Sequence, residues 1–447
     1  MSLLAADVPR GCGVPRGRPV RLLVVAVALV ALSSAAATAS TVATEPERLR
    51  VTLIGIDGAT WRVLDPLLAR GELPNVARLI ANGVRAPLRS RIPLYSAAVW
   101  TTMATGVRRE RHGITDFQMP DGHLSASVHR RVPALWTLAS DAGLHSAVVG
   151  WWVTYPAEAI KGVIISERAL RTRDEDMRSL AGDLPRHELP RLLHPFNVTE
   201  LVADLLVDLP NEAPEEDERA MVMRTMRAED AAVVRLLGRL RERMDPFDLE
   251  MILLRGVDPI SHHFWKFFEP EAAAYEDADR PSSEEVSRYH SAIEDHYRYV
   301  DGLLGEIEQS EPDRVVMLLS DHGFEAGHQP FRGGVLSGTH ETKAALYGIF
   351  VASGGPIRRG DRVESVTILD IAPTVLHLLG LPVAETLEGN VLADIFEPRW
   401  AARHPVKTVP TYGCPPVALS PHALSAAPES PVDEELREQL RALGYIE

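Results

Sequence analysis

Short apolar runs rich in β-branched residues recur along the chain, and most are followed by a stretch of helical spacing. Residues 51–56, VTLIGI, end at Asp57-Gly58, which reads as a strand running into a turn. The same pattern predicts strands at 146–150, 249–254, 315–319 and 347–352. Between them, Leu73-Pro74-Asn75 leads into the helical run VARLIANG, with Gly83 as its C-cap. Further helices are predicted at 97–105, 134–142, 283–309 and 368–379, the last closed by Gly380. Strands alternating with helices predict an α/β chain, a three-layer αβα sandwich around a mostly parallel sheet.

Two intervals depart from this rhythm. Residues 170–245 are charged, often helical, and interrupted by Pro185, Pro190, Pro195, Pro210 and Pro214. They read as an inserted helical cap, at about 155–245, within a catalytic unit spanning 50–400. Residues 401–447 form a Pro/Ala-rich tail that ends in the helix-like ELREQLRALGYIE, either a strap on the core or partly disordered.

At the other end, Arg16, Arg18 and Arg21 precede the apolar run 22–32 and a small-residue stretch ending in Ala37-Thr38-Ala39. That order predicts a signal peptide over 1–39 and export to the periplasm or outside the cell. The run is about half the roughly 20 residues a spanning helix needs. Membrane attachment is expected only if the leader stays uncleaved. The net charge of −15 argues against binding a nucleic-acid duplex, which needs a basic surface. Cys12 lies in the leader and Cys414 stands alone in the tail. Any metal is therefore expected on His and carboxylate rather than on thiolate.

In parallel sheets, ligands gather at the C-terminal ends of strands. Three predicted strands run into Asp57, Asp258 and Asp321-His322. Asp258 and His262 are four residues apart, a spacing that brings both onto one cation if a helix starts there. With His340 they make a carboxylate–bis-imidazole set suited to zinc. Asp57, Asp321 and His322, with the Ser96 oxygen, make a second set open to Zn, Mn or Mg. Singly, each has an ordinary explanation. An Asp before Gly is usually a turn residue, and a Ser opening a helix is usually an N-cap. His263 and the weaker candidate His328 neighbour the pattern, and His112 reads as structural. Ser96 at a helix start also places backbone N–H groups and the positive end of the macrodipole where a phosphoryl oxygen would lie. With no His beside it in sequence, its activation is expected to come from a metal.

These pieces together resemble the type I phosphodiesterase/nucleotide pyrophosphatase family of the alkaline phosphatase superfamily. They are Gly55-Ile56-Asp57-Gly58, Ser96 through Trp100-Thr101-Thr102-Met103-Ala104-Thr105-Gly106, His112-Gly113-Ile114, Asp258-x-x-x-His262, Ser320-Asp321-His322-Gly323-Phe324 and Gly338-Thr339-His340. Asp370-Ile371-Ala372-Pro373-Thr374 and Leu379-Gly380-Leu381-Pro382 continue the likeness. The resemblance implies an alkaline phosphatase-like fold and two divalent metal ions, Zn2+ first with Mn2+ or Mg2+ as alternatives. It implies that Asp57, Asp321 and His322 hold the ion that activates Ser96, and that Asp258, His262 and His340 hold the other. The expected substrate is a small phosphorylated molecule, a nucleotide or a phosphodiester. Many diesterase members carry Thr at the nucleophile position, whereas monoesterase and mutase branches also use Ser. A phosphomonoesterase, phosphotransferase or phosphonate hydrolase is therefore the alternative, and a metal-stabilised binding protein without catalysis a third. A sulfatase is not expected, because Ala98 and Trp100 replace the Pro and Arg that formylglycine conversion needs.

Overall fold

The computed structural model describes residues 48–171, 180–182, 218–244, 246–307, 314–331, 334–364, 366–413, 429–443 and 445–446. The predicted leader 1–39 and residues 183–217 lie outside them. In chain order the main strands are β1 (Arg50–Ile56), β2 (Gly83–Arg89), β3 (Ser146–Val149), β4 (Gly162–Ile165), β5 (Leu180–Gly182), β6 (Leu249–Leu254) and β7 (Arg314–Leu319). They are followed by the hairpin β8 (Glu325–Phe331) and β9 (Gly334–Thr339), then β10 (Tyr347–Ser353), β11 (Asp361–Arg362) and β12 (Val366–Thr367).

All but the hairpin join one ten-stranded sheet of order β11-β2-β10-β7-β1-β6-β3-β4-β5, with β12 also on β2. Its centre, β7-β1-β6-β3-β4, is parallel. β10 runs antiparallel to β7 and β2, and β5 runs antiparallel to β4. The α/β, mostly parallel architecture expected from the periodicity is the one observed.

Alternation along the central strands divides the apolar residues between two layers, as the two-residue period requires. Val51, Leu53, Met251, Leu253, Met317 and Leu319 face one core, shared with helices Ser96–Thr105, Leu135–Asp141 and Ile371–Leu378. Ile54, Ile56, Ile252, Leu254 and Leu318 face the other, shared with helices Trp61–Ala69, Pro74–Ala81, Glu218–Arg243, Val257–Phe268 and Ala292–Ile307. The interval read as a cap contributes to these layers wherever it is described. β4 and β5 extend the sheet edge, and Ala231, Val233, Leu236, Leu237 and Leu240 of helix Glu218–Arg243 are buried in the second core. Among the described residues no helix is long and apolar enough to cross a membrane.

Two local expectations are corrected. Gly83 does not cap the preceding helix, whose C-cap is Asn82; it opens β2, a strand absent from the sequence reading. A Cβ at Gly83 would lie 2.0 Å from the Ala352 carbonyl, so the glycine serves the close approach of β2 to β10. The helix expected over 283–309 is two, Ser283–Tyr289 and Ala292–Ile307. The second starts afresh where Ser291 Oγ donates to Asp295 Oδ2 at 2.7 Å.

Candidate functional site

β7, β1 and β6 are neighbours, so the residues just past their C-terminal ends emerge side by side. Asp57 follows β1, Asp321 and His322 follow β7, and Asp258 lies in the first turn of the helix Val257–Phe268 after β6. That helix places His262 one turn on, with Nε2 3.6 Å from Asp258 Oδ1. His340 arrives from the end of β9, which packs against the same helix. Gly338 makes that approach feasible, since a Cβ there would meet the Ser261 carbonyl at 2.3 Å.

Ser96 is the first residue of its helix; the N-cap is Tyr95, not Ser96. Its Oγ is free of a capping role and donates to Asp57 Oδ1 at 3.2 Å. The other Asp57 oxygen accepts from Trp152 Nε1 at 3.3 Å. Ser96, Asp57, Asp258, Asp321 and all three imidazoles are buried.

A carbonyl oxygen can only accept, so an imidazole nitrogen beside one carries a proton. His262 Nδ1 donates to Gly338 O at 2.9 Å, and His322 Nδ1 donates to Gly323 O at 3.1 Å. His262, kept neutral by burial, therefore presents an Nε2 lone pair to the site, and His322 directs its Nε2 there as well. His322 Nε2 has no hydrogen-bond partner. It lies 3.6 Å from Asp57 Oδ1, 3.5 Å from Asp321 Oδ2 and 3.7 Å from Asp258 Oδ1. Asp321 Oδ2 and His340 Nδ1 are also buried without a hydrogen bond.

Three buried carboxylates around a buried imidazole form a cluster of acceptors, an arrangement suited to divalent cations. Two groups of donor atoms lie within 4.8 Å of one another: Asp57 with Asp321 and His322, and Asp258 with His322 and His340. The structure thus brings all seven expected residues to one rim but shares His322 between the groups. His262 joins through its contact with Asp258.

The electrostatics agree with this crowding. Burial, then the charge of Asp321, pushes the Asp57 carboxyl well up from its ordinary range. Burial, then Asp57, raises Asp258 to about 7, and burial raises Asp321 to about 7 despite the Gly58 N–H bond. Burial lowers His262 to about 3 and holds His340 well below the usual imidazole range. Cations would reverse the carboxylate shifts by favouring the charged form.

His112 stands apart, with Nε2 3.0 Å from Thr102 Oγ1 and Nδ1 accepting from the Ile114 amide at 3.2 Å. His263, beside His262, is held low at about 4, first by burial. The side chain of His328 lies outside the described residues. The sequence reading missed Trp152, Arg255, Phe117 and Tyr445, which line the space next to Ser96. Nothing in their local pattern marks them; only the packing brings them there.

The sequence model of the family described as Type I phosphodiesterase / nucleotide pyrophosphatase matches residues 51–359. No curated protein matches the chain. Among solved structures, an inactive murine ectonucleotide pyrophosphatase/phosphodiesterase 5 in complex with AMP is similar at 14% identity and TM-score 0.46, over 78% of this chain and 100% of that one. A 2-O GAG sulfatase has 14% identity and TM-score 0.48, over 78% and 74%. A phosphonate monoester hydrolase from Silicibacter pomeroyi has 14% identity and TM-score 0.45, over 78% and 76%.

Proposed function

The chain belongs to the type I phosphodiesterase/nucleotide pyrophosphatase family, and from that membership we propose a metal-dependent phosphoester hydrolase that works through a covalent Ser96 intermediate. The observation that carries this reading is the position of Ser96. Its Oγ lies at the start of a buried helix, 3.2 Å from an aspartate that stands among further buried acids and imidazoles. Asp57, Asp321 and His322, with Ser96 Oγ, would hold one cation; Asp258, His262 and His340 would hold the other. Zinc suits the donors, with manganese or magnesium as alternatives. Bound there, the ions would lower the pKa of the Ser96 hydroxyl and stabilise the leaving oxygen.

Ser96 Oγ attacks phosphorus in line, and its proton leaves along the hydrogen bond to Asp57. The bond from phosphorus to the leaving oxygen breaks, the electron pair goes with that oxygen, and it leaves as the alcohol after taking up a proton, the one passed to Asp57 returning to solvent. Water then attacks the phosphoseryl group, the P–Oγ bond breaks, and Ser96 regains a proton. The N-terminus of the Ser96–Thr105 helix favours the negative charge of the phosphoryl oxygens throughout. Asp57 also orients Oγ, and Trp152 N–H holds Asp57 from its other oxygen.

Two displacements give net retention at phosphorus. A chiral phosphorothioate ester turned over by the zinc-loaded protein tests this, and inversion would remove the covalent step. The substrate is a small phosphorylated molecule of nucleotide or phosphodiester type. Ser96, where many diesterase members carry Thr, keeps a phosphomonoesterase, phosphotransferase or phosphonate hydrolase as the second reading. Rates on bis-p-nitrophenyl phosphate, p-nitrophenyl phosphate and a phosphonate monoester separate them. Metal-replete protein inert on all three would favour a binding protein without catalysis. Export belongs to the proposal too, and the mass of the mature N-terminus tests cleavage near Ala39.

A further inference from the structure

Residues 429–443 and 445–446 run from a contact with Arg168 to this site. Its helix Asp433–Ala442 sets Leu436 and Leu440 into the core that also holds Ala97 and Val99. Asp433 Oδ1 accepts from Arg168 Nη1 at 2.6 Å, with both side chains buried, and Asp433 Oδ2 takes the Ser430 amide at 3.0 Å. Past the helix, the Tyr445 amide turns back to the Leu440 carbonyl at 2.8 Å. The Tyr445 ring packs on Phe117 and His340, with centroids 4.8 and 5.6 Å away. Its hydroxyl donates to Asp258, with the oxygens at 2.9 and 3.1 Å. It also lies 3.1 Å from His262 Nε2 and 2.9 Å from His340 Nε2.

One phenol thus engages the three side chains assigned above to a single cation. The same segment covers Ser96. Gln439, Leu440, Leu443 and Tyr445 face Ser96, Asp57 and Asp258 across a cavity of about 30 Å³. Such a space holds about two waters and is roughly a tenth of the smallest ordinary ligand pocket. Among the described residues, the space left at Ser96 while the segment is docked is too small for a phosphoester.

We propose that residues 429–443 and 445–446 form an autoinhibitory strap: its docked side chains cover Ser96 against the phosphoryl substrate, and the Tyr445 hydroxyl takes the atoms of Asp258, His262 and His340 that the cation assigned to them would need. The inference rests on reading this site as that of a phosphoester hydrolase. Substrate reaches Ser96 only in the fraction of molecules whose strap has swung away, and its apparent affinity is reduced by that fraction. The contacts that dock the strap therefore oppose binding.

Calorimetric titration of the full-length protein with zinc, and of the zinc-loaded protein with inorganic phosphate, tests this, using wild type, Tyr445→Phe and Asp433→Asn. The first variant removes the hydroxyl and the second loosens the helix remote from the donors. Both should take up zinc, and with it phosphate, about tenfold more tightly than wild type. Saturating phosphate should also speed tryptic cleavage of the wild-type protein at Arg437 and Arg441. If Asp433→Asn fails to fold, Tyr445→Phe carries the comparison. Equal or weaker phosphate binding by the variants, with zinc uptake intact, would overturn the strap while leaving the site's reading in place. Failure of all three proteins to take up zinc or phosphate would overturn that reading, and the strap with it.

Discussion

The amide of Gly58 donates to Asp321 Oδ1 at 3.2 Å, joining the ends of β1 and β7 across 263 residues of chain. Gly58 holds φ at 74°, and a Cβ there would lie 2.9 Å from the Phe324 ring and 3.2 Å from Asp258. Both the turn and the spacing of two acids depend on the missing side chain. Gly58→Ala should lose about 1–3 kcal/mol of stability and bind zinc more weakly. Thermal melting with and without zinc checks this; a variant that melts and loads like wild type would disprove it.

Ser96→Ala should reduce turnover by at least about a thousandfold, as loss of a nucleophile does elsewhere. Metal content should stay near that of wild type, because Asp57, Asp321 and His322 remain. Metal analysis run beside the rate assay decides the point. If metal content and activity vanish together, Ser96 is holding the site together rather than reacting.

Chelation should abolish turnover and lower the melting temperature, and added zinc should restore both. A cation at a hundred times its dissociation constant contributes about 2.7 kcal/mol by mass action alone. The buried acids give a further reason: without a cation, ionising Asp57, Asp258 and Asp321 together is opposed by burial and mutual repulsion. A melting temperature indifferent to chelator would argue against metal at these residues.

His112 provides a pH signature away from the reacting groups. Burial, then Arg130, depresses its pKa from 6.5 to about 3. The unfolded chain therefore binds a proton that the folded chain refuses between those values. Stability from this group is fully present above pH 6.5 and is lost as pH falls toward 3, at about 1.4 kcal/mol per unit. His112→Gln should flatten the acid limb of the denaturation profile by one proton. An unchanged slope would mean that His112 is protonated in the fold.

The alternating layers and the residues at three strand ends could be read from the chain before folding, because both are written locally. A two-residue period marks a strand, a helical period marks its cover, and Asp57, Asp258 and Asp321-His322 lie within a few positions of the strand ends that carry them. The pairing of Asp258 with His262 was legible for the same reason, being one helical turn. The strand β2, GVRAPLR, was not: its apolar signal is weak, and it exists through its register with β10 on one side and β11 and β12 on the other. Only the tertiary structure shared His322 between two donor groups, and only it brought Tyr445 to Asp258 from 187 residues away. Such contacts depend on how whole layers and a long return segment pack together. No local periodicity encodes that distance, so they become visible only when the chain is folded.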